Sequence, residues 1–183
     1  VAEIFGADVP FRRSKELSDD YTPIRPVISH AIEFVQGEGG KPTYVCILYA
    51  TAPLIQTHDL GLAFTRLKSS QADFALSVTQ YPYPIQRALR MARNGGIEMF
   101  QPEYQLTRSQ DLEEAFHDAG QFCWGRSEAF LEDTDTFSNN SIPIVLPGWR
   151  VVDIDTQNDW DRAELLGRYF LRKASNLYNL GQG

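Results

Sequence analysis

Hydrophobic and polar positions along this chain fall into stretches with different periods. Residues 1–5 read as helical turns that stop at Gly6, because glycine takes the left-handed backbone that ends a helix. Residues 8–11 are extended, and residues 12–22 form a polar, charged loop. After Thr22-Pro23, the residues Val27, Ile28, Ala31, Ile32 and Val35 recur at helical spacing. That predicts a helix capped by Thr22, with one face on a core, ending at the glycines Gly37, Gly39 and Gly40. Residues 44–50 are almost continuously apolar between turn signals, as in a strand buried on both faces. Thr57 opens a second amphipathic helix with Leu60, Ala63, Phe64 and Leu67 inward, and residues 73–79 form a second buried strand. Strand, helix, strand predicts an α/β fold with parallel strands.

The pattern then breaks at Tyr81-Pro82-Tyr83-Pro84. Residues 88–92 and 97–100 flank Asn94-Gly95-Gly96, the signature of a β-hairpin. Further on, residues 121–124, 142–146 and 150–154 are strand candidates, and residues 126–132 a short helix. The last helix is predicted from Thr156 to about Ala174, with Thr156 and Asp159 forming a partial capping box.

Composition narrows the picture. The chain has 183 residues, 43% of them hydrophobic, enough for one domain with a core and too apolar for a disordered chain. Its net charge of −7 argues against a nucleic-acid partner, since phosphates select a basic face. No apolar run approaches the roughly 20 residues of a membrane span. Cys46 and Cys123 sit in apolar runs, which predicts buried free thiols and a cytoplasmic location.

Three segments could carry chemistry. Asp153 and Asp155, two apart at a predicted strand end, would share a face, and adjacent carboxylates call for a cation such as Mg²⁺. In haloacid-dehalogenase phosphatases a nucleophilic Asp after a strand is joined by a downstream Lys and further acids, whereas here one helix and a tail follow. Glycosyltransferases with a metal-binding Asp-x-Asp and nucleotidyltransferases both remain open on spacing. Second, Tyr49-Ala50-Thr51-Ala52-Pro53-Leu54 follows a buried strand, where open α/β sheets bind ligands. Third, Arg12, Arg13 and Lys15 make a small basic cluster suited to phosphate, or to ion pairs with Glu16, Asp19 and Asp20. Gly39-Gly40-Lys41 precedes a strand and reads as a turn. Among the histidines His30, His58 and His117, only His117 is placed to line a site.

Together these residues resemble the acylneuraminate cytidylyltransferase family. The resemblance rests on Arg13 with residues 15–20, on residues 27–32, on residues 49–54, and on Asp153-Ile154-Asp155-Thr156-Gln157-Asn158-Asp159-Trp160. Residues 83–88 and 118–125 are most similar to its pseudaminic acid branch. The resemblance implies a three-layer sandwich of the nucleotide-diphospho-sugar transferase type, with a mostly parallel, Rossmann-like sheet. It implies transfer of CMP from CTP to a nine-carbon ulosonic acid, pseudaminic or sialic acid, with release of pyrophosphate. Asp153 and Asp155 would be catalytic and hold Mg²⁺, while Arg13, Thr22 and Thr51 would contact the nucleotide. Arg108, Gln121, Phe122 and Trp124 would contact the sugar. Residues 81–118 would be an insert serving a homodimer, with Arg108 reaching in from a mate. The family's strand and phosphate loop would precede Val1, so residues 1–183 are expected to be one N-terminally incomplete domain. The alternatives are a nucleotide-sugar glycosyltransferase and an inactive sugar-binding or dimer-forming piece.

Overall fold

The computed structural model describes residues 1–180. A 3-10 turn, Ala2–Phe5, ends at Gly6 with φ 84°, as predicted. Phe11 then packs on His30 and Phe34 of α1 (Ile24–Gly37), fixing where the loop of residues 12–22 begins. The expected Thr22 cap is absent: its hydroxyl donates to the Glu16 carbonyl at 2.8 Å, and Pro23 precedes the helix. Next come β1 (Tyr44–Leu48), α2 (Thr57–Lys68) and β2 (Phe74–Gln80). The hairpin is β3 (Leu89–Met91) and β4 (Ile97–Met99), a two-stranded sheet of its own. Then follow β5 (Phe116–Arg126), α3 (Ser127–Leu131), β6 (Ser141–Val145) and α4 (Gln157–Leu180).

The main sheet has the order β1-β5-β2-β6. β2 and β6 are parallel, whereas β5 runs antiparallel to both β1 and β2. The sheet is therefore mixed: β1, β2 and β6 share a direction, and β5 is inserted between the first two. This placement makes β5 and β2 the interior strands, and Phe74, Ala75, Leu76 and Ser77 of β2 are all buried. β1 lies at the sheet edge and is only half-buried, despite its continuous apolar sequence.

Alternate residues of β2 and β5 feed two clusters, as the two-residue period of strands requires. Phe74, Leu76 and Cys123 join Ile28 and Ile32 of α1 and Ala129 and Phe130 of α3. Ala75 and Phe122 join Ala63 and Leu67 of α2, with Ile144 of β6 and Leu146. Each fully buried Phe contributes roughly 2–3 kcal/mol of transfer free energy, so Phe74, Phe122 and Phe130 anchor the fold. A third cluster of Leu54, Val152 and Ala163 attaches α4 to the sheet end.

Of residues 150–154, expected as a strand, Arg150 closes the 3-10 turn Gly148–Arg150 and residues 151–154 join no ladder. Alternation survives: Val152 is buried while Asp153 and Asp155 are exposed. The carboxylates therefore leave on the solvent side without a neighbouring strand to align them. No described helix is long and apolar enough to cross a membrane.

Candidate active site

Three segments meet where β1 and β2 end. The loop after β1 is fastened at Tyr49, whose N–H donates to the Gln121 carbonyl at 3.1 Å. Ala52 and Leu54 bury their side chains and seat the rest of it. The Thr51 carbonyl accepts the Ile154 N–H at 3.1 Å, which brings the Asp153 segment alongside the Thr51 loop.

The second segment is a bulge in β5. Between the pairs Leu76↔Cys123 and Val78↔Asp118, β2 advances two residues and β5 advances five. Ser77 fills the gap: its hydroxyl accepts N–H groups from Gln121 and Phe122 and donates to the Phe122 carbonyl, at 3.1–3.2 Å. Gly120 takes φ 59°, and its N–H donates to the Asp118 carboxylate at 2.9 Å. A Cβ on Gly120 would stand 3.3 Å from Asp153 Oδ2, so a larger residue would press on that carboxylate. Burial, with Asp118 and Asp153 among the nearby negative groups, pushes the Tyr49 hydroxyl above its ordinary pKa. Tyr49 and Asp118 also line a cleft of about 170 Å³ with Ile24, Arg25, Thr136 and Phe137.

Asp153 and Asp155 form the third segment. Neither carboxylate accepts a hydrogen bond among the described residues. Asp159 instead takes the capping role: its Oδ2 accepts from the Thr156 N–H and hydroxyl at 2.9 and 2.7 Å. The Thr156 hydroxyl accepts the Asp159 N–H in return, completing the predicted capping box. No group of three or more His, Cys, Asp and Glu side chains could hold a metal ion among the described residues. Two exposed carboxylates do not make a closed cage, but they fit Mg²⁺, which keeps waters and takes substrate phosphate oxygens alongside one or two carboxylates.

A second cleft of about 440 Å³ lies beside this point, lined by Thr79, His117, Trp149 and Arg162. His117 stands at its wall, its ring tilted against Tyr81 with centroids 4.7 Å apart. Trp149 and Arg162 were not anticipated; one lies in a 3-10 turn and the other in α4, and no motif joins them. Arg150 was missed as well. Its Nη1 lies 2.6 Å from Asp59 Oδ2 in a nearly buried ion pair.

The remaining predicted residues are more dispersed. Arg13 is exposed in its loop and reaches only the Leu17 carbonyl at 3.5 Å. None of Arg12, Arg13 and Lys15 forms a salt bridge among the described residues. Thr22 is held inside the same loop by Asp19 and Glu16. Arg108 pairs bidentately with Asp111 at 2.7 and 3.1 Å on the exposed connection between β4 and β5. Gln121 was expected to face a sugar, yet it is 1% exposed and donates its amide N–H to the Arg150 carbonyl at 2.6 Å. Phe122 is in the core, and Trp124 packs on Phe64 of α2 at 4.8 Å. Phe122 and Trp124 alternate onto the α2 face in the regular part of β5, whereas Asp118, before the bulge, is exposed. The connection between β2 and β5 closes where the Tyr81 N–H meets the Ala115 carbonyl, and Phe116 to Asp118 already pair with β2. Cys46 and Cys123 are free thiols, and burial pushes both up to about 12, so both stay protonated at neutral pH.

No family model matches the chain. It is 42% identical over 166 residues to a pseudaminic acid cytidylyltransferase of Campylobacter jejuni strain 81-176, covering 91% of this chain and 72% of that protein. The match to the enzyme of the same name from strain NCTC 11168 has the same extent. A Helicobacter pylori protein named pseudaminic acid cytidylyltransferase and UDP-2,4-diacetamido-2,4,6-trideoxy-beta-L-altropyranose hydrolase is 30% identical over 84% of this chain and 29% of its own length.

Proposed function

The chain belongs to the pseudaminic acid cytidylyltransferase family, and we propose that it transfers CMP from CTP to a nine-carbon ulosonic acid, pseudaminic acid foremost, releasing pyrophosphate. The observation that carries this reading is the meeting of the Thr51 loop, the Asp118–Gly120 bulge and Asp153 at one sheet end in a chain so related. The sheet and its flanking helices suit a three-layer nucleotide-diphospho-sugar transferase.

In this reading the sugar's anomeric hydroxyl attacks the α-phosphorus of CTP, and the bond to the bridging oxygen of pyrophosphate breaks. Asp153 and Asp155 would hold Mg²⁺, which offsets charge developing on the phosphate oxygens and the leaving group. Thr51 offers its hydroxyl to the nucleotide, beside the cleft that Tyr49 lines. Arg13, without an ion-pair partner among the described residues, is available to the phosphates, and Thr22 shapes the loop that carries it. The sugar would occupy the cleft of Thr79, His117, Trp149 and Arg162, where Arg162 can face its carboxylate and Trp149 its apolar ring face. Gln121, Phe122 and Trp124 act from behind, by holding β5 in place. Positioning of two bound reactants then supplies most of the acceleration.

The hairpin supports a homodimer reading. Leu89, Met91, Ile97, Phe100 and Leu106 are all exposed on or beside it, an apolar surface suited to a second copy. Arg108 lies in the same insert and would reach the mate's sugar.

The test is incubation of the protein with CTP, Mg²⁺ and pseudaminic or sialic acid. CMP-sugar identified by mass spectrometry, with equimolar pyrophosphate, is expected with pseudaminic acid. No pyrophosphate with either sugar rejects the reading. Tight binding of a UDP-sugar without CTP binding would favour a glycosyltransferase.

A further inference from the structure

Between the two anchors of the Asp153 segment lies a structure that the reaction itself does not require. At one end, the Ile154 N–H is held by the Thr51 carbonyl. At the other, Arg150 is held twice, by different elements. Its carbonyl accepts from Gln121 Nε2 of β5 at 2.6 Å. Its guanidinium meets Asp59 of the first turn of α2 at 2.6 Å, with side chains only 15% and 9% exposed. Gln121 in turn accepts the Tyr49 N–H, so the loop after β1, β5, α2 and the Asp153 segment are tied through one residue.

An ion pair buried this far is a weak source of stability, because desolvation of both charges offsets their attraction. What it supplies is direction. Arg150 closes the 3-10 turn Gly148–Arg150, where the segment begins, and a two-point hold there fixes the path of Val151 to Asp155. Residues 151–154 have no ladder to do this. We infer that Asp59 and Arg150 are positioning residues: their ion pair holds the Asp153 segment so that its carboxylates face the Thr51 loop and Gly120. The inference rests on the metal-holding role given above to Asp153.

The test replaces both charges with apolar residues of similar volume, Asp59→Leu with Arg150→Met, so that no unpaired charge is buried. This double variant is expected to fold with a melting temperature within a few degrees of the parent. Amide exchange at Ile154, followed by NMR, is expected to accelerate about tenfold or more. Half-saturation by Mg²⁺ is expected to rise ~10–100-fold, as when groups that orient metal ligands are removed. Amide exchange along the β2–β5 ladder should match the parent, which separates positioning of the segment from a general loosening. Arg150→Lys alone, which keeps the charge but not the planar fork, should recover part of the metal response.

Unchanged Ile154 exchange and an unchanged metal response overturn the inference. So does a general acceleration of exchange across the sheet, the mark of a merely structural role. A parent protein that shows no Mg²⁺-dependent CTP binding by calorimetry overturns the functional reading instead. Ile154 exchange in the double variant still decides whether the pair holds the segment.

Discussion

The two ends of β5 are built on opposite principles. At its C-terminal end the strand is closed off by side chains bonded and packed around it, with the Trp124 indole N–H the one buried polar group there that lacks a partner among the described residues. Arg126 donates to the Ala72 and Ser70 carbonyls at 2.9 Å and lies over the Tyr44 ring, and the Ser127 hydroxyl donates to the Pro42 carbonyl. Gly125 lies so close under Phe74 and Phe130 that an added Cβ would stand 2.5–2.7 Å from their rings. At the N-terminal end the strand bulges, Gly120 takes a left-handed backbone, and Asp153 stands beside it with no hydrogen-bond partner among the described residues. One end is closed by packing; the other leaves Asp153 exposed, where the proposed reaction would supply its partners from solution. On the proposed reading, stability and chemistry are separable along a single strand.

The largest effect expected from breaking this division is at the open end. Asp153→Ala, and equally Asp155→Ala, should lower the rate at least ~100-fold, as for loss of a group that stabilises developing charge. The melting temperature should hardly move, because both side chains are exposed. Steady-state kinetics beside a thermal melt checks both halves. A variant that unfolds, or one that keeps its rate, would dissolve the division.

At the closed end the pattern should invert. Gly125→Ala forces Phe74 or Phe130 to move, and overpacking of this kind costs about 1–3 kcal/mol. Urea unfolding should register that loss. The rate per folded molecule and the Mg²⁺ dependence should match the parent.

How far the sequence discloses this division depends on whether the signal is local. The amphipathic periods of α1 and α2, the apolar runs of β1 and β2 and the Asn94-Gly95-Gly96 turn are local, and all appear close to where they were expected. The Thr156–Asp159 capping box is local too. The first half of β5 is not: His117, Asp118 and Gly120 interrupt any alternation, and only pairing with the distant β2 makes a strand of them. Nothing in the apolar run of β1 reveals that β5 would separate it from β2. Residues 150–154 carry a strand's alternation but find no neighbour to pair with. For the site, short motifs singled out Thr51, Asp153 and Asp155, and the structure sets the Thr51 loop against the Asp153 segment. The Asp59–Arg150 pair joins residues 91 apart and leaves no sequence trace.

Ser77 stands at the boundary between the two ends. Its hydroxyl is fully buried and serves three backbone groups of the bulge. Ser77→Ala leaves those groups without that partner and should cost about 1–3 kcal/mol. Because the bulge carries Asp118 and Gly120, the same change should also weaken CTP·Mg²⁺ binding in calorimetry. A pure stability loss, with binding intact, would place the boundary nearer the open end.

The smallest effect is expected at the start of α4, and its sign follows from the cap. The Thr156 hydroxyl and N–H both donate to the Asp159 carboxylate, and these hydrogen bonds hold its pKa below the ordinary value of 3.8. A carboxyl depressed in the folded state is deprotonated more readily there than in the unfolded chain. Its contribution to stability is therefore fully present above about pH 4 and is lost as pH falls through the lowered folded value. Thr156→Ala removes the hydroxyl donor, should cost about 1 kcal/mol near neutral pH, and should return the Asp159 titration toward its ordinary range. An NMR titration of the Asp159 carboxyl, with melts between pH 2 and 5, checks the sign. If the cap also steadies the carboxylates just before it, the variant's Mg²⁺ half-saturation will rise slightly in parallel. An unchanged Mg²⁺ response would confine the cap to stability and leave the orientation of Asp153 to the opposite side of the segment.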